Sequence, residues 1–259
     1  MKWNWLLSKF DKDVQITRKS KELVRQKINN VQLNKRFFYM SNEKAKSFLE
    51  SVGIRVPTEE NEIKTGTFGK GIASVGGTSE KKRQVNLGEE VKAAIKRAKG
   101  MKRIVPYEQC ERGRYILIHV PCYNGTVRLK TIKTYSDIYW WYSNYGNIRI
   151  YACGNSGNVI DNSRIIDIEK PLWDPSSDRR SEEFFDMIEN YIKVETTDID
   201  KLSDEAIISQ LRIMIHDGTM RGEKYPYSYG EYDMLLRCDA VEREKEIIQI
   251  FGSPVFVTF

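Results

Sequence analysis

Arg114-Tyr115-Ile116-Leu117-Ile118-His119-Val120-Pro121-Cys122-Tyr123-Asn124-Gly125-Thr126-Val127-Arg128-Leu129-Lys130 is the stretch on which the expected fold turns. Its two arms, 114–120 and 126–133, are rich in Ile, Val and Tyr, residues that suit a pleated, half-buried surface. Asn124-Gly125 between them satisfies the positive φ angles of a tight hairpin turn, so the spacing predicts two antiparallel strands joined there. Two further runs, 147–153 and 158–169, extend the sheet, with alternation visible at Val127/Leu129 and Ile148/Ile150. His119 sits inside an apolar run and reads as a hydrogen-bonded core or sheet histidine. Between the strands, Asp137-Ile138-Tyr139-Trp140-Trp141-Tyr142-Ser143-Asn144-Tyr145 reads as a short helix or a bent aromatic connection. Its rings either plug one end of the sheet or stack nucleobases.

Upstream, residues 12–33 carry Val24, Ile28 and Val31 at helical steps, with Arg18, Lys19, Lys21, Arg25 and Lys27 on the remaining surface, a basic amphipathic helix. A second helix is expected over 42–51, with Phe48 and Leu49 apolar and Gly53 as its stop. Residues 64–88, interspersed with Gly and carrying Lys81-Lys82-Arg83, read as a flexible cationic loop. A helix over 89–99 follows, closed by Gly100, with Lys92, Lys96 and Lys99 on its exposed face. Downstream, Ser181 caps a helix containing Phe184, Phe185, Ile188 and Ile192, and Ser203 caps another through Ile207, Ile208, Leu211 and Ile215 to Gly218. A third helix is expected within 230–252, with Leu235, Leu236 and Ile247, before a terminal strand over 255–259. Tyr225-Pro226-Tyr227-Ser228-Tyr229-Gly230 is an exposed aromatic loop unless it tucks against the sheet. The expected class is α+β: a small bent antiparallel sheet with packed helices, preceded by a basic helical amino-terminal region. The segments are 1–63, the Gly-rich basic loop 64–88, and a core over 89–259 with sheet 114–169 and acidic helices 181–252.

Charge is sorted along the chain. Residues 1–106 hold 24 Lys/Arg against 11 Asp/Glu, 107–170 hold 8 against 6, and 171–259 hold 10 against 19. Such a polarity suggests a basic surface for a polyanion and an acidic region for another contact. With mean hydropathy −0.54 and no apolar run of the roughly 18–20 residues a bilayer requires, a transmembrane helix is not expected. The start, Met1-Lys2-Trp3-Asn4-Trp5-Leu6-Leu7, does not read as a secretory signal. Trp3 and Trp5, followed by Lys9 and Lys12, suit either a membrane interface or a helix start packed on its own core.

Catalytic and metal signatures fail on spacing. Gly66-Thr67-Phe68-Gly69-Lys70-Gly71 is too short for a phosphate loop and lacks the Ser or Thr after its Lys. Asp161, Asp167 and Glu169 could hold Mg²⁺ for phosphodiester hydrolysis, but the position two before Lys170 is Ile168. Cys110, Cys122, Cys153 and Cys238 share no C-x-x-C spacing and read as free thiols, and the two histidines lie too far apart for a zinc motif. The expectation is a non-enzymatic protein without cofactor or metal.

One stretch resembles a known family. Arg114-Tyr115, a β run, Thr126-Val127-Arg128, Lys133-Thr134-Tyr135-Ser136-Asp137-Ile138, Ser143-Asn144-Tyr145 and the turn at Gly154 resemble the start of the folded core of rhabdovirus matrix proteins, especially the vesiculovirus type. The shared part is the order strand, strand, aromatic helix, strand. The resemblance implies a viral structural protein that self-associates, contacts anionic inner-leaflet lipid and condenses a ribonucleoprotein, located in the virion, host cytoplasm, the inner face of a host membrane and the nucleus. The family's Pro-rich Tyr motif is absent here, and Tyr232-Asp233-Met234-Leu235 fits a looser Tyr-x-x-Leu budding signal or plain core packing. The competing reading is a nucleic-acid-binding viral accessory protein of nucleocapsid, movement or silencing type, with a metal-dependent nuclease behind it. Both leading readings use Trp3, Trp5, Lys9, Lys12, Arg18, Lys19, Lys21, Arg25, Lys81, Lys82, Arg83, Lys96 and Arg97 as the polyanion-binding set.

Overall fold

Asn124-Gly125 does not turn the chain. The computed structural model describes residues 18–56, 76–130, 135–161, 203–209, 211–212 and 228–259, and in it one strand runs unbroken through both arms of the quoted stretch. The elements are helix α1 (Arg18–Asn29), strand β1 (Phe37–Met40), helices α2 (Asn42–Ser51) and α3 (Gly76–Gly100), then strands β2 (Tyr115–Lys130), β3 (Tyr135–Tyr145), β4 (Ile148–Asn155), β5 (Ser228–Glu244) and β6 (Ile247–Thr258). Residues 204–209 and 211–212 are also helical.

Local chemistry explains why Asn-Gly is straight here. The fully buried Asn124 amide donates to the Ser228 carbonyl (3.2 Å) and the Tyr232 hydroxyl (2.9 Å), while its oxygen accepts from Tyr139 (2.5 Å) and Ser228 (2.7 Å). Every polar valence of the amide is filled, which a turn facing water would not need. Gly125 lies under the Trp140 indole, where a Cβ would stand 3.1 Å from the ring. The pair is present for a polar clamp and a close ring approach.

The aromatic run is strand β3 rather than the expected short helix or bent connection. Its rings alternate between faces: Tyr139 and Trp141 belong to the main core cluster with Ile118 and Ile150, while Trp140 and Tyr142 point the other way. Because both faces are buried, the period-two signal is hidden in a continuous aromatic string. The same cause overturns the helix expected within 230–252. That region is the β5–β6 hairpin, turned at Lys245, which has φ 52°. Met234 and Leu236 face the main cluster, whereas Leu235 joins Phe256, Phe48 and Val91 in a second cluster.

The strand pairings return to their start. β2 pairs with β3 and β5, β3 with β4, β4 with β6 and β6 with β5; all are antiparallel except β4–β6. Five strands therefore close into a barrel where a small bent antiparallel sheet was expected. β6 manages this by dividing its second edge, residues 248–252 against β4 and 256–258 against β1. Ile116, Ile118, Trp141, Ile150, Met234 and Ile250 fill the interior. The mixed α+β class holds. Residues 158–161 are not strand, since 156–158 form a 3₁₀ turn, and the rest of the expected run 158–169 lies outside the described residues, as does the Ser181 helix.

Two helices pack on the outside of β5 and β6. α2 matches the expected bounds; Ser41 caps it, its Oγ accepting from the Lys44 amide, and Gly53 follows at φ 73°. α3 is longer than expected and takes in residues 76–88, read above as loop. Gly88 lies inside it: a Cβ there would meet the Phe37 ring at 2.5 Å, so the glycine serves a close helix–strand approach instead of a flexible joint. Lys92 is also not on an open face, because its ammonium lies 3.9 Å from the Phe37 ring centroid and donates to the Lys35 carbonyl. Ser203 Oγ accepts from the Ala206 amide at 3.2 Å, the expected cap, and Ile207 and Leu211 of that helix are buried.

The opposite ends of the charge gradient meet within one chain. α1 docks on the barrel through buried Ile28 and through Val24 against Gly146, and its cations face carboxylates: Lys21–Glu246 2.7 Å, Arg25–Glu108 3.0 Å and Lys27–Glu231 2.7 Å. These exposed pairs fix orientation more than they add stability.

Candidate functional site

Cross-strand register builds one outward row on β2 and β5. Inward residues Asn124, Cys122, Val120 and Ile118 alternate with outward Tyr123, Pro121, His119 and Leu117, which lie opposite Tyr229, Glu231, Asp233 and Leu235. The row starts in solvent and ends under the helices. At its open end the Tyr123 and Tyr229 rings sit 4.8 Å apart with Tyr229 61% exposed, an unusual exposure for so large a ring beside a closed core. Toward β4 and β6 an aromatic line continues through Tyr142 and Tyr151 (5.2 Å) to Phe251, stacked on Tyr151 at 4.7 Å and 8°. That part is buried, with Arg212 of the helical pair 211–212 over Phe251 and bound to Glu242.

Next along the row comes a charge cluster. His119 Nδ1 lies 2.8 Å from Asp233 Oδ1, and its Nε2 lies 3.5 Å from Glu231 Oε2. Asp233, fully buried, also pairs with Lys35 at 2.7 Å, and Glu231 pairs with Lys27. The hydrogen bond from Lys27 holds Glu231 below the usual carboxylate pKa, and the same contact raises Lys27. An Asp-bound imidazole is the orienting half of many catalytic pairs, but the contact given for Nε2 is the Glu231 carboxylate, and among the described residues no cluster of His, Cys, Asp and Glu could hold a metal ion. The cluster's ion pairs tie α1 and the Lys35 segment to the barrel next to the tyrosine pair. His119 is a hydrogen-bonded sheet histidine, as its sequence context implies. Asp233 and Lys35 were not legible from spacing, because only the β2–β5 register brings them to it.

The polyanion set is dispersed. Trp3, Trp5, Lys9 and Lys12 lie outside the described residues, as do Asp167 and Glu169. Arg18 and Lys19 open α1, whereas Lys21 and Arg25 are engaged by Glu246 and Glu108. Lys81, Lys82 and Arg83 share helix α3 with the exposed Lys96 and Arg97, some 24 Å along a single axis. Tyr232 and Leu235 are fully buried on strand β5, Tyr232 in the barrel and Leu235 under the helices, so this segment is not an accessible linear motif in the folded chain. Among known proteins, no family model, no curated protein and no solved structure matches this chain.

A second ionic group is buried between α2 and the hairpin. Arg237 lies 3.6 Å from Asp239, which accepts from Ser253 at 2.9 Å, and Lys44 is buried beside them. Burial pushes the Lys44 ammonium below its ordinary pKa of 10.5, Asp239 and Cys153 oppose the shift, and Arg237 adds to it. The unfolded chain then holds this proton more tightly, so the Lys44 contribution to stability rises with pH from its folded pKa up to about 10.5. Lys44→Met is expected to unfold at equal or higher urea concentration than the parent at neutral pH and to lose that alkaline rise, because a buried charge is replaced by an apolar chain of similar length. Urea midpoints at neutral and alkaline pH measure both effects.

Proposed function

We propose that the protein binds single-stranded nucleic acid across the outward row of β2 and β5, with Tyr123 and Tyr229 stacking bases and the cations of α3 following the phosphates. The Tyr123–Tyr229 ring pair on a closed barrel, Tyr229 exposed and Tyr123 half-buried, is the observation that carries this reading. Stacking platforms beside a cationic track are the common device of sequence-tolerant single-strand binders, since every base offers a π face. Continuity supports it: Lys35 pairs with Asp233 in the row, and its carbonyl accepts from Lys92 of α3. Strand order adds an analogy. In the barrel, first strand β2 pairs with the second and fourth, and the third and fifth run parallel, the Greek-key order of the oligonucleotide- and oligosaccharide-binding barrels. This is likeness of topology alone.

Of the two polyanions weighed from sequence, a strand of nucleic acid suits this surface better than a bilayer. Lys21, Arg25 and Lys27 of the basic helix face the barrel's own carboxylates instead of an open plane. The wider matrix-like role, bridging ribonucleoprotein and membrane during assembly, is retained through its ribonucleoprotein half. The element order behind the family resemblance contains an aromatic helix, and this chain has strand β3 at that place.

In fluorescence anisotropy with labelled single-stranded RNA at fixed salt, Tyr229→Ala should weaken binding roughly 10-fold and Tyr229→Trp should preserve it. Equal affinity for parent and Tyr229→Ala contradicts the assigned face. Absence of RNA binding together with cosedimentation on anionic liposomes favours the membrane reading instead.

A further inference from the structure

Cys110 and Cys238 are 128 residues apart in sequence, and their sulfur atoms are 2.7 Å apart in the fold. That is well inside the contact distance of two non-bonded sulfurs and within an ångström of the roughly 2.05 Å of a disulfide bond. Both residues are fully buried, and the backbone on each side is clamped. Cys238 donates its amide to the Arg114 carbonyl and accepts from the Gly113 amide, each at 2.8 Å, while Arg243 donates to the Cys110 carbonyl at 2.6 Å. The two sulfurs are already in contact. Cys122 and Cys153, also buried, have no such sulfur contact among the described residues.

The segment that carries Cys110 is a junction. Glu108 pairs with Arg25 of α1, Arg112 with Asp204 of the helical residues 204–209 at 2.5 Å, and Arg243 reaches in from β5. A covalent tie there would hold α1, the helix inserted between β4 and β5, and the barrel wall in one arrangement.

We propose that Cys110 and Cys238 form a redox pair that closes to an intramolecular disulfide under oxidising conditions. All four cysteines are free thiols in the fold, as their sequence spacing implies, and among them the fold brings one pair into sulfur contact. The step balances with a small-molecule disulfide as oxidant. One cysteine thiolate attacks it and releases one small thiol; the second cysteine then attacks the mixed disulfide and releases the other. Two protein thiols are oxidised, and one disulfide is reduced to two thiols. Burial raises the pKa of Cys238, and the neighbouring Cys110 raises it further, so the thiolate is scarce in the folded chain and closure is expected during folding or local opening.

The test is to refold the full-length chain with excess oxidised glutathione or with reduced glutathione, alkylate under denaturing conditions, and map peptides by mass spectrometry. The oxidised sample should show two alkylated cysteines, Cys122 and Cys153, and a linked peptide pair containing Cys110 and Cys238. Its melting temperature should exceed that of the reduced sample by roughly 10 °C, as expected for a cross-link closing so long a loop. Cys238→Ser should show no linked pair. If that variant does not fold, the parent's peptide map still decides the matter. Four alkylated cysteines after oxidative refolding, or a link between any other pair, overturns the proposal.

Discussion

Trp141→Ala is expected to lower the free energy of unfolding by about 3–5 kcal/mol. Trp141 has no solvent exposure and meets Tyr39 at 5.1 Å and Phe38 at 6.4 Å edge to face, with Tyr139 tilted at 4.8 Å. Truncation removes the largest interior side chain and leaves a cavity walled by rings that the closed strands keep from collapsing. The indole nitrogen adds a sharper contrast: among the described residues it finds no hydrogen-bond acceptor. Trp141→Phe keeps most of the ring contact and deletes that unsatisfied donor, so its loss should stay below about 1.5 kcal/mol. Urea denaturation followed by circular dichroism separates the two variants. Equal losses would mean that the site is held by polarity rather than by packing.

Gly252→Ala is expected to destabilise by about 3 kcal/mol or more, although it adds one methyl group. A Cβ at this position would stand 2.1 Å from the Arg237 carbonyl oxygen, a backbone atom that cannot rotate away. Gly252 also lies at the barrel seam, paired with Ala152 of β4 on one side and Cys238 of β5 on the other, next to the register shift between Cys238 and Ala240. Relief of the clash therefore requires β5 and β6 to separate where the barrel closes. Gly100→Ala is the matched control: nothing lies within 4 Å of a Cβ there, and the helix end should tolerate or slightly gain from the change. Thermal unfolding of the two variants side by side distinguishes a packing effect from a general cost of losing glycine.

The parts of this fold that could be read from sequence are those whose signal is local. Helix α2 announces itself by the apolar Phe48 and Leu49 and by Gly53 just beyond its end, and these act within a dozen residues. Ser203 does the same for its helix. The misread parts are those where tertiary contact overrides a local cue. Asn124-Gly125 carries the usual chemistry of a turn, but the Asn amide is claimed by Ser228, Tyr139 and Tyr232, two of them more than a hundred residues away. Tyr139-Trp140-Trp141-Tyr142 and residues 232–240 are buried on both faces, which erases the alternation that marks a strand. The candidate site divides in the same way. His119 was recognisable as a sheet histidine, whereas its partner Asp233 sits inside a segment read as helix, and Tyr123 gains meaning only when register places Tyr229 across from it.

The charge gradient changes character in the same light. From sequence its ends suggested a basic surface for a polyanion and an acidic region for another contact. In the fold, Lys21, Lys27 and Lys35 from the basic end meet Glu246, Glu231 and Asp233 from the acidic end, so part of the polarity is consumed in docking α1 and the Lys35 segment on the barrel. The exposed cations of α3 remain available to an external polyanion.

The most direct test of the proposed nucleic-acid face is an anisotropy titration of the full-length protein with single-stranded and double-stranded RNA of the same sequence, for the parent and for Tyr123→Ala/Tyr229→Ala. The account predicts tighter binding of the single strand by the parent and loss of that preference in the double variant, with residual salt-sensitive binding through α3. An unchanged preference in the double variant, or equal binding of both RNAs by the parent, would contradict it.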